Sequence, residues 1–311
     1  MGGVTASDEV LAKEFSTHRT HLIGVAYRLT SAVTDAEDAV QEAWLRLSGL
    51  DEEKRAQIRD LRGWLTTVVG RICLDRLRSA VERRERYVGP WLPEPIVTPF
   101  GTPPSDDPLE TVVRDEQVRM AAMVVLDNLT PEQRVAFVLH DAFSVPFAEI
   151  AGILGVSEAA ARQHASRGRR AVADADPPTL ADLAEQSAML EKLLTAITTG
   201  DLKGVVALLH PEVVLVGDSD GKARTSRHRM VGADKVSRFI LGLIEQYGVH
   251  RIAHGVPALV NGELGLAIPH VEAEDGLREV DRRVTMFELR DGRIWRIYDM
   301  CNPDKLMHLD R

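Results

Sequence analysis

Apolar residues recur over residues 8–87, and again over 109–173, at the three-and-four spacing of a helix face. Val10, Leu11 and Phe15 start the pattern, and Leu22, Val25, Ala26 and Leu29 continue it. The stretch "TDAEDAVQEAWLRL" (34–47) sets Ala36, Ala39, Val40, Ala43 and Leu47 on one side, with Thr34 or Asp35 as its N-cap. "DLRGWLTTVVGRICLDRLRSAVERRERY" (60–87) predicts one long amphipathic helix with Ile72, Leu74 and Leu77 inward, and Trp64 either inward among Leu61, Leu65 and Val68 or available for stacking. Its later part turns basic: residues 71–90 hold six arginines against Asp75, Glu82 and Glu85.

A second helical region covers 109–175. Phe147, Ile150, Ala151 and Leu154 form a short stripe, Gly155 breaks it, and Ser157 can cap a second helix. Along that helix Ala161, Ala165, Gly168 and Val172 repeat on one face, while Arg162, Gln163, His164, Ser166, Arg167, Arg169 and Arg170 cover the rest. A helix, a glycine turn and a second helix with small residues inward predict a helix-turn-helix. The small face lets the second helix dock closely. Its Arg and Gln side chains suit base edges, and its Ser and Arg side chains suit phosphates.

Between these regions, residues 88–108 ("VGPWLPEPIVTPFGTPPSDDP") hold seven prolines and little periodicity. That composition predicts a stiff linker. From Pro90 to Pro108, at ~3.1 Å per residue, it could reach at most roughly 55–60 Å, the length of roughly 16–18 base pairs of duplex.

Beyond "DADPP" (174–178) the pattern changes. A helix near 181–199 precedes short apolar runs, and Asp291-Gly292 between "REVDRRVTMFELR" and "RIWRIYDM" predicts a hairpin. Helices followed by antiparallel strands predict an α+β domain over 181–311. The chain is thus multi-domain: all-α over 8–87 and 109–175, α+β after 181.

Charge sharpens the picture. The 311 residues carry a net charge of −9, so nucleic-acid contact must be local and another large surface must be acidic. The two cysteines, Cys73 and Cys301, stand far apart, which fits a reducing compartment and neither a disulfide framework nor a zinc site. No leader and no membrane-length apolar run is present, so the expectation is a soluble cytoplasmic protein without membrane contact. Nothing in the sequence calls for a cofactor or a metal.

"DAEDAVQEAWLRL", "DLRGWLTTVVGRICLDRLRS" and "LTPEQRVAFVLHDAFSVPFAEIAGILGVSEAAARQHASRGRR", in that order, resemble domains 2 and 4 of the extracytoplasmic-function bacterial sigma factors. The remainder resembles the subgroup with a C-terminal SnoaL-like domain, a curved sheet closed by helices into a cone. "YVGPWLPEP" (87–95) and "NPDKL" (302–306) carry that resemblance, with "DSDGK" (218–222) where the subgroup has "DGGGK".

The resemblance implies a factor that brings RNA polymerase core to promoter DNA. Asp38, Gln41, Glu42 and Arg46 then meet the polymerase clamp. Arg71, Asp75, Arg76 and Arg78 face the −10 element, with Arg71 nearest an unstacked base. Arg162, Gln163, His164, Ser166, Arg167, Arg169 and Arg170 face the −35 element. Gly168 replaces the family's usual Ala, which on propensity alone loosens the helix end by about 1 kcal/mol. Asp218, Gly221 and Lys222, with Asn302, Pro303, Asp304, Lys305 and Leu306, become regulatory candidates, and Leu306 and Met307 candidates to anchor the tail.

The C-terminal domain is expected to regulate, with a small-molecule ligand in its pocket as a candidate partner. His210, His254, His270, Asp281, Tyr298 and Asp299 are the polar residues proposed for that pocket. No metal-ligand spacing and no nucleophile–base pair stands out, so no catalytic residue is expected. Two rivals remain: a DNA-binding region fused to a SnoaL-like small-molecule enzyme, and a conventional helix-turn-helix activator. The activator leaves 8–87 and the proline-rich stretch without a role.

Overall fold

The computed structural model describes residues 6–84, 86–101, 107–113, 118–175, 181–252 and 254–310. Residues 102–106 of the expected linker and 176–178 of "DADPP" lie outside that set. The chain divides into two compact units: residues 1–85 with 104–176, and residues 86–103 with 177–311.

The first unit is helical. Its helices are α1 (Ala6–Thr30), α2 (Val33–Ser48), α3 (Glu52–Ala56), α4 (Leu61–Arg84), α5 (Pro108–Val112), α6 (Met120–Leu126), α7 (Pro131–Phe137), α8 (Phe147–Leu154) and α9 (Glu158–Asp174). The predicted stripes are the core: Leu22, Val25, Ala26 and Leu29 of α1 and Ala36, Ala39, Ala43 and Leu47 of α2 are almost wholly buried. Ile72, Leu74 and Leu77 are buried as expected, and Trp64 is half-buried. The expected Thr34 or Asp35 cap does not form. α2 begins two or three residues earlier, at Val33 after Ala32, with no side-chain cap. Asp35 instead lies in the first turn, where its carboxylate receives Arg76.

Both halves of this unit share one core. Arg134 of α7, 1% exposed, donates from Nε to the carbonyl of Arg28 (2.9 Å) and from Nη2 to Ser31 Oγ (2.5 Å), and pairs with Asp127. α7 starts with a full capping box between Thr130 and Gln133, with Pro131 in its first turn, and widens into a π turn over Val138–Ala142.

The second unit has α10 (Leu183–Thr198), α11 (Leu202–Leu208), α12 (Ala233–Tyr247) and α13 (Val249–Ile252). Its strands are β1 (Val97–Pro99), β2 (Leu209–Asp218), β3 (Met230–Val231), β4 (Val256–Val260), β5 (Glu263–Ile268), β6 (Arg283–Arg290) and β7 (Arg293–Met300), in the order β1-β4-β5-β6-β7-β2-β3. The β6–β7 hairpin forms as predicted. Arg290 pairs with Arg293, and Asp291 and Gly292 both take positive φ (51° and 67°), as a type I′ turn requires. The sheet is mixed, however, because β2 runs parallel to β7, an arrangement reached through the intervening α12 and hairpins.

The proline-rich stretch is the main correction. Residues 86–101 belong to the second unit and are not a free spacer. β1 pairs antiparallel with β4 in the register Val97↔Val260 and Pro99↔Ala258, and Leu92 and Ile96 are 1% and 3% exposed. The backbone N–H of Ile96 donates to Asn261 Oδ1 (3.0 Å), and that of Asn261 to the Ile96 carbonyl (2.8 Å). Prolines hold the chain extended and withhold donors, which is tolerated on an edge strand. The roughly 55–60 Å reach of a proline-rich chain therefore does not apply to 91–99.

Candidate functional site

α9 carries the predicted basic face. Ser157 caps it, accepting from the backbone N–H of Ala160 (3.2 Å), and α8 ends at Gly155 in the left-handed conformation (φ +69°). Ala161, Ala165 and Gly168 are buried, and Val172 is half-buried. Arg162, Gln163, Ser166, Arg167, Arg169 and Arg170 are exposed together on the other side. Arg162 pairs with Glu158 and lies over the Phe147 ring (4.7 Å), and Arg169 is held by Asp141 (2.8 Å). Arg167 and Arg170 present their guanidinium groups at the surface. His164 differs from the rest: it is half-buried, with Nδ1 facing inward.

Gly168 is explained by this docking. A Cβ there would sit 2.7 Å from Phe137 Cβ and 3.2 Å from the Gln133 carbonyl oxygen. The glycine lets α9 cross α7 at close range, which outweighs its poor helix propensity.

The other polar candidates divide. Arg71 and Asp75 are exposed on α4. Arg78 is exposed but held by Glu132 (3.0 Å). Arg76 turns toward α2, donating to the Asp35 carbonyl and carboxylate (3.0 and 3.1 Å) and lying 3.7 Å from Asp38 and 4.0 Å from Glu42. Arg76 thus joins the helix expected at the −10 element to the one expected on the polymerase. Glu42 also receives Arg46 (2.5 Å), and Asp38, Gln41 and Arg46 are exposed on α2.

Comparison with known families matches Sigma-70 region 2 to residues 15–83, Sigma-70 region 4 to 119–172 and a SnoaL-like domain to 190–297. The chain is 52% identical over 294 residues, 94% of its length and 92% of the relative's, to the ECF RNA polymerase sigma factor SigJ of Mycobacterium tuberculosis. It belongs to the ECF RNA polymerase sigma factors. The crystal structure of the M. tuberculosis sigma factor SigJ matches with a TM-score of 0.79 at 49% identity, covering 95% of this chain and 98% of that one. A probable ECF sigma factor SigI of the same species is 34% identical over 72% of this chain and 73% of its own.

In this sigma factor the regulatory candidates meet at one buried carboxylate. Asp218, 0% exposed, accepts from the Leu92 N–H (2.6 Å), from Lys305 Nζ (2.8 Å) and from the Tyr87 hydroxyl. Lys305 also donates to the Leu92 carbonyl (2.5 Å) and lies 3.2 Å from the centre of the Trp91 ring. Asn302 donates to the Tyr87 oxygen (2.7 Å). Burial, then the Asp218 charge, raises the Tyr87 pKa, so the phenol stays a donor. Lys222 pairs with Asp304 and Asp220, and Asp220 accepts from the Val88 N–H (3.1 Å). Within "DSDGK", Asp220 and Gly221 both adopt positive φ (50° and 70°), which Asp tolerates. Pro303 opens a short 3-10 turn, Leu306 is buried (1% exposed), and Met307 is exposed, so Met307 anchors nothing within this unit.

The SnoaL-like unit also encloses a cavity of about 780 Å³ counting its open mouth. α10 and α12 cover it, and β2, β5, β6 and β7 floor it. Of the six proposed pocket residues only Asp299 lines it. His254 and His270 are exposed, and His210, Asp281 and Tyr298 point elsewhere. Alternation decides this: Ile297 and Asp299 face inward on β7, so Tyr298 faces out. Tyr247, Arg283 and Thr285 were missed. The Arg283–Thr285–Phe287 alternation on β6 is the sequence signal that reaches two of them. Among the described residues no cluster of three His, Cys, Asp or Glu could hold a metal, and no helix is long and apolar enough to cross a membrane.

Proposed function

We propose that this chain directs promoter-specific initiation by RNA polymerase in the cytoplasm: α9 reads the −35 duplex, α4 engages the −10 element through Arg71 and Asp75, and α2 docks on the polymerase clamp. One observation carries the reading: α9 seats its small residues against α7 while presenting Arg162, Gln163, Ser166 and Arg167 together outward. The relative SigJ is named an ECF RNA polymerase sigma factor, which supports the same role here. Arg76 serves by holding α4 to α2.

The C-terminal domain is read as a binding and regulatory module, not an enzyme. Asp299, the carboxylate lining the cavity, already accepts from Thr225 (2.6 Å), Thr285 (3.2 Å) and Arg283 (3.3 Å), which leaves it poorly placed as a general base. The Asp218 cluster ties the segment after α4 to this module, so the module's state bears on that segment.

The test is in-vitro transcription with bare core polymerase. This chain gives transcripts with a defined start, and Arg162→Ala or Arg167→Ala weakens −35 binding by about 1–3 kcal/mol for a bidentate base contact. Transcription only with another sigma factor present points to an activator. Removing 181–311 without any effect on core binding or initiation removes the regulatory role.

A further inference from the structure

α12 is packed unusually for a helix over a sheet. Phe239, Ile240, Leu243 and Ile244 all line its inner side, yet each stays half-buried. The sheet answers with Leu215, Leu266, Ile268, Phe287 and Ile297 across open space. An apolar lining with a few polar groups gathered at one end is the make-up of a small-molecule site.

Its polar end is specific. Tyr247, the last residue of α12, is 1% exposed and lines the cavity, and its hydroxyl has no hydrogen-bond partner. A buried hydroxyl left unpaired is destabilising, and a ligand acceptor placed against it removes that cost. Burial raises its pKa, so the group remains a neutral donor. Beside it, Arg283 and Asp299 are 5% and 4% exposed and neutralise each other (3.3 Å). Arg283 also donates to the Arg224 carbonyl (2.9 Å). Thr285 spends its proton on Asp299 (3.2 Å), which leaves the Thr285 oxygen as an acceptor.

These groups select a ligand by charge. A carboxylate or amine brought here would be buried without an unused counter-charge, at a large desolvation cost. A neutral group pays little and relieves Tyr247. We infer that the cavity binds a neutral, mostly apolar molecule ending in one carbonyl or hydroxyl, which accepts from Tyr247 and, if a hydroxyl, donates to Thr285. This deepens the regulatory reading by naming the class of signal. Binding itself is measured without polymerase, so a failure of transcription and a failure of this inference are distinct results.

The probes are 2-acetylnaphthalene, 2-ethylnaphthalene and 2-naphthoate, titrated calorimetrically into the full-length protein and into Tyr247→Phe and Leu243→Trp. Saturable one-to-one binding of the ketone is expected, with the carboxylate at least about ten-fold weaker. Tyr247→Phe weakens the ketone several-fold and leaves the hydrocarbon unchanged, whereas Leu243→Trp fills the cavity and removes both. Should Leu243→Trp fail to fold, the ketone–hydrocarbon comparison in Tyr247→Phe decides alone. No saturable binding of ketone or hydrocarbon, carboxylate binding as tight as the ketone, or a ketone affinity indifferent to Tyr247→Phe overturns the inference.

Discussion

Two glycines of the helix-turn-helix test the packing argument with opposite signs. Propensity alone says that Ala for Gly inside a helix gains about 1 kcal/mol. At Gly152 of α8 a Cβ meets nothing within 4 Å, so Gly152→Ala should realise that gain. At Gly168 the same Cβ meets Phe137 Cβ at 2.7 Å and the Gln133 carbonyl at 3.2 Å. Both atoms are fixed to the α7 backbone, so no side chain can swing aside. Carbon–carbon contacts settle near 3.5–4.0 Å, so the two helices must part by about 1 Å. Overpacking of that kind costs about 1–3 kcal/mol, which cancels or exceeds the propensity gain and leaves Gly168→Ala neutral to about 2 kcal/mol destabilised. Because the chain has two units, hydrogen exchange of α7–α9 peptides is a better readout than one global melt. Gly152→Ala should slow exchange there by about five-fold, the factor that 1 kcal/mol gives. Gly168→Ala should not slow it and should weaken −35 binding as α9 lifts. If Gly168→Ala slows exchange as Gly152→Ala does, the close crossing of α7 and α9 is wrong.

Three further outcomes rest on particular groups. Lys305→Met leaves the Asp218 carboxylate buried without its cation, a change that typically costs about 3–5 kcal/mol, so exchange of residues 91–99 should accelerate while the β6–β7 hairpin stays protected. Arg71→Ala should spare core binding yet impair opening; normal permanganate reactivity of the melted region returns Arg71 to an ordinary surface role. His21 is held down to about pKa 4 by burial, then by Arg62, His18 and Arg28, while Thr66 sits 2.9 Å from its Nε2. The unfolded chain takes up a proton near pH 6.5 and the folded one only near 4, so stability is full above 6.5 and falls between those values. A pH series of melting temperatures should show that loss, and His21→Gln should flatten it.

The helical half was legible because its periodicity is long and its caps are local. Ala161, Ala165 and Gly168 state their burial by spacing alone, and Ser157 and Gly155 mark the turn. Residues 88–103 misled because proline content reports an extended backbone and not whether anything covers it. The informative residues were the apolar ones between the prolines: Leu92 and Ile96 are buried, and Trp91 stacks on Lys305. Asn261-Gly262 was a further unused signal, since both take positive φ at the β4–β5 turn that presents Asn261 to Ile96. The parallel β2–β7 pairing could not be read, because it joins segments separated by α12 and two hairpins.

The C-terminal sites show why chemistry was harder to place than fold. Histidines draw attention as reactive side chains, but His254 and His270 sit at the surface, and the groups that matter are arranged by strand register. β7 sets Asp299 opposite Gly217 and Met300 opposite Asp218 on β2. Gly217 is needed there, because a Cβ would collide with the Thr225 hydroxyl that reaches Asp299. One residue further, Asp218 gathers Tyr87, Leu92 and Lys305, and its carbonyl accepts from the Cys301 N–H (2.8 Å). The polar end of the cavity and the anchor of the 86–99 segment therefore occupy adjacent rungs of the same two strands. Any shift of β7 on filling the polar end of the cavity is felt one rung away at the backbone holding Asp218, because interiors packed this tightly transmit strain.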